Sequence, residues 1–328
     1  MKSVVEDIKK GSFKPVYLFY GEEAYLKQQY KNRLKNAVLP EGDTINLSIY
    51  SGKGIDVKEI IAQADTMPFF AEHRLLLIED SGFFKNANQQ LAEYIPSIPE
   101  ETIMLFVESE VDKRSRMYKA VKNIGRVTEF ARQDEKTLMR WAAGLLGKEG
   151  KKITQRDMEL LLTKTGTDMG NLRMELEKLI TYTTGRDVVT ARDIEEICTT
   201  QIQNKIFDMV SAVTGKNQKR ALELYYDLLT LKEPPMKILT LLARQFRQLL
   251  LIKEFEEEGV AQPEMASRLG VHSFVVKKLA ACARAYRISE LKQAIADFVD
   301  ADEAVKTGKL QDILSVELII VKYSSSRA

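Results

Sequence analysis

The chain has 328 residues, enough for two or three domains, and 49 basic against 47 acidic side chains leave a net charge of only +2. Two cysteines (Cys198, Cys282) and two histidines (His73, His272) argue against a disulfide framework, a zinc site or histidine-based catalysis. The longest apolar runs, such as Leu75–Ile78, are far too short to span a bilayer, and MKSVVEDIKK has no apolar core of a secretory signal, so the expected compartment is a reducing cytoplasm.

The first 130 residues alternate strand and helix signals. Pro15–Tyr20 is a short run of β-formers ended by Gly21, and Glu22–Ala37 reads as a polar helix. Ile45–Tyr50 alternates with period two, a strand signal, and Asp56 is placed to cap a helix running to about Asp65. Arg74–Ile78 and Ile103–Val107 are apolar runs of the buried-strand type, each followed by acids. Leu91–Ile95 continues a helix, and Val127–Phe130 is a last short strand. Unalternating strands separated by helices predict a mostly parallel sheet covered on both faces.

Beyond Gln133 only helices are expected. Leu138–Leu146, a helix opened by Thr154 and Asp157, the stripe Leu172, Leu176, Leu179 and a helix opened by Thr190 and Asp193 make a small helical domain. From Asn204 the helices lengthen. Pro234-Pro235 opens one with the stripe Ile238, Leu242, Phe246 and Leu249, and others follow near 262–269, 272–286, 288–305 and 310–323. Basic and acidic residues number 19 and 21 over 1–135, 11 and 10 over 136–200, and 19 and 16 over 201–328. No segment is basic enough to bind nucleic acid on charge alone.

Three features bear on function. The strand–turn–helix at Gly21 has the shape of a phosphate-binding loop, but Gly21-Glu22-Glu23 lacks the lysine–hydroxyl pair that neutralises phosphate and holds magnesium. Glu22 and Glu23 would repel a triphosphate while suiting a helix N-terminus. Leu75–Asp80 has the outline of a Walker B strand with no nucleotide to serve. No catalytic set is evident, and no cofactor is expected.

Second, Thr66–His73 holds Met67, Pro68, Phe69 and Phe70 in a short loop. Pro68 stops the preceding helix and biases Met67 to an extended backbone. The two rings either cap the sheet edge or plug a partner's pocket. Third, Pro263–Leu279 has the Ala-x-x-Leu-Gly-Val spacing of a helix-turn-helix, with Lys277, Lys278 and Arg284 able to meet phosphate. Its second helix opens on His272-Ser273 and then the apolar Phe274-Val275-Val276, which leaves few polar groups for base edges. The spacing serves a structural helix corner equally.

Taken in order, PVYLFYGEEAYL, MPFFAEHRLLLIED, NLRMELEKLITY, IFDMVSAV, EPPMKILTLLARQFRQLL, RLGVHSFVVKKL and ADEAVKTG resemble the delta-subunit family of the bacterial DNA polymerase III clamp loader across essentially the whole chain. The resemblance implies an α/β AAA+-like N-terminal domain with a mostly parallel sheet and a degenerate P-loop at Gly21, Glu22 and Glu23. A small helical lid and an all-α collar would follow, with boundaries at 1–135, 136–203 and 204–328. It implies a subunit of the DNA polymerase III holoenzyme, a DNA-directed DNA polymerase (nucleotidyltransferase), with no catalysis of its own. Such a subunit binds the beta sliding clamp, helps open it for loading onto primed DNA in replication, and assembles with the tau/gamma and delta-prime subunits through the collar. Met67, Pro68, Phe69 and Phe70 match the clamp-binding element, although family members often carry leucine where Phe69 stands. Primer-template DNA would be met through the assembled loader, with Lys277 and Lys278 as possible contacts, and no membrane is involved. The competing readings are a nucleotide-dependent AAA+ enzyme with a divergent P-loop and a helix-turn-helix DNA-binding regulator.

Overall fold

The computed structural model describes residues 1–85, 88–199, 202–271 and 273–325, and the chain divides into two compact units, Met1–Gln133 and Asp134–Ala328. The first unit is built on five parallel strands, β1 (Val16–Tyr20), β2 (Leu47–Ser51), β3 (Arg74–Glu79), β4 (Thr102–Glu108) and β5 (Arg126–Glu129), in the order β2-β3-β4-β1-β5. Its helices are α1 (Lys2–Lys10), α2 (Ala24–Val38), α3 (Val57–Ala64), α4 (Gln89–Tyr94) and α5 (Arg116–Ile124).

The central strands β1, β3 and β4 are buried nearly end to end, which is why they read as continuous apolar runs. Leu18, Leu76, Met104 and Phe106 on one face pack with Ile60, Leu91, Ile95, Met117 and Val121. Over the same three strands lies α2, which buries Leu26, Leu34 and Val38. Edge strand β2 is half-exposed, and Ile49 faces solvent. It begins at Leu47 rather than at Ile45, because Asn46 is used in a turn.

Helices α1 and α5 were not expected, although Val4 and Ile8 on α1 and Met117, Val121 and Ile124 on α5 stand at helical spacing. Two buried positions anchor each, Val4 and Asp7 on α1 and Met117 and Val121 on α5. Asp7, buried on α1, accepts from Tyr17 (3.1 Å) and from Arg126 Nε and Nη2 (3.0 and 3.2 Å), tying α1 to β1 and β5.

The second unit holds α6 (Glu135–Lys148), α7 (Gln155–Thr165), α8 (Met169–Tyr182) and α9 (Ala191–Ile197). The expectation of helices alone is corrected here. Lys152–Ile153 (β6) and Val188–Val189 (β7) pair in parallel, too briefly to leave a periodicity. Side-chain caps start each helix: Asp134, Thr154, Asp168 and Thr190, the last in a reciprocal capping box with Asp193.

A bundle follows, of α10 (Ile202–Thr214), α11 (Gln218–Thr230), α12 (Pro235–Glu257), α13 (Gln262–Leu269), α14 (Ser273–Ala283), α15 (Ile288–Lys306) and α16 (Asp312–Ser324). Its axis is α12, which buries Ile238, Leu242, Phe246, Leu249 and Ile252. The Phe246 ring stacks 5.2–5.8 Å from those of Phe298, Tyr323 and Tyr286. Among the described residues no helix is long and apolar enough to cross a membrane.

Gly21 is sterically required in the first unit, as is Gly125, where a Cβ would lie 2.1 Å from the Val16 carbonyl oxygen. Gly21 leaves β1 at φ +116°, and a Cβ there would lie 2.5 Å from the Phe130 carbonyl oxygen. The contact is fixed from both sides, since Phe130 N–H donates to the Tyr20 carbonyl (2.7 Å) and Glu23 N–H to that of Phe130 (2.9 Å). Gly21→Ala should therefore destabilise the chain by about 1–3 kcal/mol, readable as a lowered denaturation midpoint at unchanged slope.

Candidate functional site

The two ends of the parallel sheet carry different features. At the end where strands leave, β1 and β4 are neighbours whose following segments diverge, the place where open α/β sheets take ligands. Here the chain meets its own groups. Glu23 N–H, one of the amides a phosphate would need, is committed to Phe130. Glu22 pairs with Arg132 at 2.8 Å. Lys31, on the face of α2 toward β3, reaches Glu79 at 2.7 Å, and Lys27 Nζ donates to the Glu108 carbonyl at 3.0 Å. Burial lowers the Lys27 pKa from the ordinary lysine value, with Asp80, Glu108 and Glu23 opposing.

The buried Glu108 carboxylate accepts from the Ser81 hydroxyl, Ser81 N–H (3.1 Å) and Gly82 N–H (3.3 Å). Burial raises its pKa, and these hydrogen bonds oppose the rise. The acids that close β3 and β4 thus hold turns and lysines of this chain.

The opposite end, where strands enter, presents Thr66–His73. Helix α3 ends at Ala64, and Pro68 lies just past it. Met67 is 75% exposed, Phe69 56% and Phe70 95%, while Pro68 is half-buried. Neither ring lies in the sheet's core. They stand edge to face with centroids 4.6 Å apart. Phe70 has φ +50°, a left-handed conformation unfavourable for an aromatic residue.

Side chains at the starts of β2 and β3 pin this backbone. Asn46 Nδ2 donates to the Phe69 carbonyl (2.9 Å), and Phe69 N–H donates to Asn46 Oδ1 (2.6 Å). Buried Arg74 donates through Nε to the Thr66 carbonyl (3.0 Å) and through Nη2 to that of Met67 (3.3 Å). Asp43 accepts from the Ile45 and Asn46 amides and from Asn46 Nδ2. Those hydrogen bonds, the Asn46 side chain first, hold its carboxyl below the usual aspartate pKa.

Sequence reasoning located the apolar loop but took Asn46 and Arg74 only as strand residues. The available signal was Asp43-x-x-Asn46, a side-chain turn pattern ahead of a strand.

In the second unit, Gly270 at φ +62° makes the corner between α13 and α14. Met265, Val276 and Leu279 from both helices enter the bundle core. Lys277 is exposed. Lys278 is half-buried, its Nζ 5.4 Å from the Phe207 ring centroid. Burial lowers its pKa, with the attraction of Asp208 opposing. His272 falls outside the described residues.

Comparison with known proteins agrees with this architecture. Residues 17–131 match the family model "DNA polymerase III, delta subunit", and residues 203–323 match "DNA polymerase III delta subunit, C-terminal domain". The chain is 29% identical to DNA polymerase III subunit delta of Bacillus subtilis, over 97% of this chain and 95% of that protein. It is 21% identical to the probable DNA polymerase III subunit delta of Aquifex aeolicus, over 85% and 83%. The solved structure of the Bacillus subtilis DNA clamp loader delta protein superposes with a TM-score of 0.76, covering 98% of this chain and 99% of that one. With both units matched and the fold shared along nearly the whole length, the chain belongs to the DNA polymerase III delta-subunit family of clamp loaders.

Proposed function

We propose that this chain is the loader subunit that binds the beta sliding clamp without hydrolysing ATP, with Met67, Pro68, Phe69 and Phe70 as the docking element. The observation that carries the reading is the exposed Phe69–Phe70 pair on a pinned backbone. The rings serve no core of this chain, and Phe70 holds a costly conformation there. A strained, exposed aromatic ring needs a purpose outside the chain, and a pocket on a partner supplies one. An aromatic side chain buries about 150–250 Å². At roughly 25 cal/mol per Å², one ring is worth on the order of 4–6 kcal/mol before ordering costs.

The exit end of the sheet supports the other half of the proposal. The loop at Gly21, Glu22 and Glu23 is degenerate and already bonded to Phe130 and Arg132. A nucleotide would have to displace those bonds and meet acidic residues in place of a P-loop lysine. The division of the second unit into a lid (136–203) and a collar (204–328) is part of the same reading. On α16, exposed Leu314 and Leu318 stand one turn apart, and Glu317 between them receives the Tyr226 hydroxyl of α11 at 2.7 Å. This face is offered to the tau/gamma and delta-prime subunits. DNA is met in the cytoplasm by the assembled loader, with exposed Lys277 contributing sequence-blind charge and Lys278 partly withdrawn over Phe207.

The pair Phe69→Ala/Phe70→Ala should weaken clamp binding by at least about 30-fold, in line with a 2–4 kcal/mol hot spot. Its melting temperature should change little. Clamp affinity unchanged alongside a large melting drop would refute the docking role. Phe70→Asn keeps a residue that tolerates the left-handed region. It should leave stability unchanged or raise it by up to about 1 kcal/mol while weakening clamp binding. Calorimetric titration with Mg-ATP should show no saturable binding tighter than about 1 mM. Saturation below that concentration would favour the divergent-ATPase reading.

A further inference from the structure

Asn46 touches the docking loop through its side chain alone, and the chemistry of that contact is specific to a carboxamide. The residue is buried, with 1% of its surface exposed, just before β2. One Nδ2 hydrogen goes to the Asp43 carboxylate at 2.8 Å and the other to the Phe69 carbonyl at 2.9 Å. Oδ1 receives the Phe69 N–H at 2.6 Å. Carboxamide and backbone therefore pair head to tail at two points, as two strands of a sheet would. The next ladder bond in line is a real one, from Leu75 N–H to the Asn46 carbonyl at 2.8 Å.

Asp43 sets the orientation. A carboxylate accepts but does not donate, so the amide nitrogen must face it, and the oxygen is left to face the Phe69 N–H. An aspartate at 46 would lose the donor to Phe69 and stand against the Asp43 carboxylate. The peptide groups on both sides of the Phe69 Cα are thereby held, which fixes where its Cα–Cβ bond points and where the Phe70 Cα starts. Beside them opens a shallow groove of about 430 Å³ lined by 41–46 and the two rings.

We propose that Asn46, oriented by Asp43, is the positioning residue of the docking element, holding the Phe69 backbone so that both rings are presented before the partner arrives. The proposal rests on the reading that this loop binds the clamp. Its energetic content is pre-organisation: ordering that the chain completes on folding is not charged against binding.

The test uses the full chain and the purified beta clamp, and measures affinity, melting temperature and hydrogen exchange at the Phe69 amide. Asn46→Ala should speed exchange at Phe69 and weaken clamp binding roughly 5- to 10-fold. Asn46→Asp should weaken it at least as much. In the Phe69→Ala/Phe70→Ala background, Asn46→Ala should change the residual affinity by less than about 2-fold, because a residue acting through the rings has nothing left to position.

A structural role alone would lower the melting temperature and leave clamp affinity as it was, and that outcome overturns the proposal. An equal loss with and without the rings overturns it too. If the double phenylalanine variant itself keeps full affinity, the docking reading falls and the proposal with it. A loss there, with none for Asn46→Ala, defeats the proposal alone. Should Asn46→Ala fail to fold, Asp43→Ala removes the acceptor that orients the carboxamide and is measured in the same way, with the same outcomes deciding.

Discussion

In a parallel sheet every strand enters at one edge and leaves at the other, and this constraint separates the two chemistries of the first unit. Tyr20, Glu79, Glu108 and Glu129 end their strands at the exit edge, so Gly21 and the acids after β3 and β4 collect there. Asn46 and Arg74 lie at the strand starts, so the loop they grip sits at the entry edge. The sheet's own packing holds the two edges apart. Changes that close the turn at Gly21 against Phe130 therefore need not disturb the loop around Phe69.

Exposed aromatic residues on a loose loop would bind weakly, since each ring would lose its freedom on docking. Here the backbone is held at Thr66, Met67 and Phe69 by side chains from two neighbouring strands. What remains free is chiefly side-chain rotation. The left-handed backbone at Phe70 belongs to the same arrangement, because the chain reverses there between the pinned Phe69 and the start of β3.

The central strands were legible in the sequence because burial on both faces leaves uninterrupted runs such as Leu75–Ile78 and Ile103–Val107. The loop was legible because Pro68 and two adjacent phenylalanines fit neither a helix nor a strand. Its braces were not. The contact from Asn46 to Phe69 spans 23 positions and leaves no local pattern beyond the Asp43 turn. The start of β2 was misplaced by two residues for the same reason, since Ile45 continues the alternation while Asn46 turns its amide to the loop. The two-residue strands β6 and β7 lie below what periodicity can show, whereas Met117, Val121 and Ile124 on α5 do keep a helical spacing.

The helix corner at Gly270 shows how spacing can be read correctly and still not decide a function. Ala266, Leu269 and Val271 pack against the bundle core, together with the fully internal Met265, Val276 and Leu279, so the spacing reports a tight helix corner. A recognition helix needs polar side chains on the face away from that core. On α14 that face offers Lys277, while Lys278 is drawn back over Phe207 beside Asp208. A lysine on such a corner offers charge to a phosphate and no means of telling one base from another.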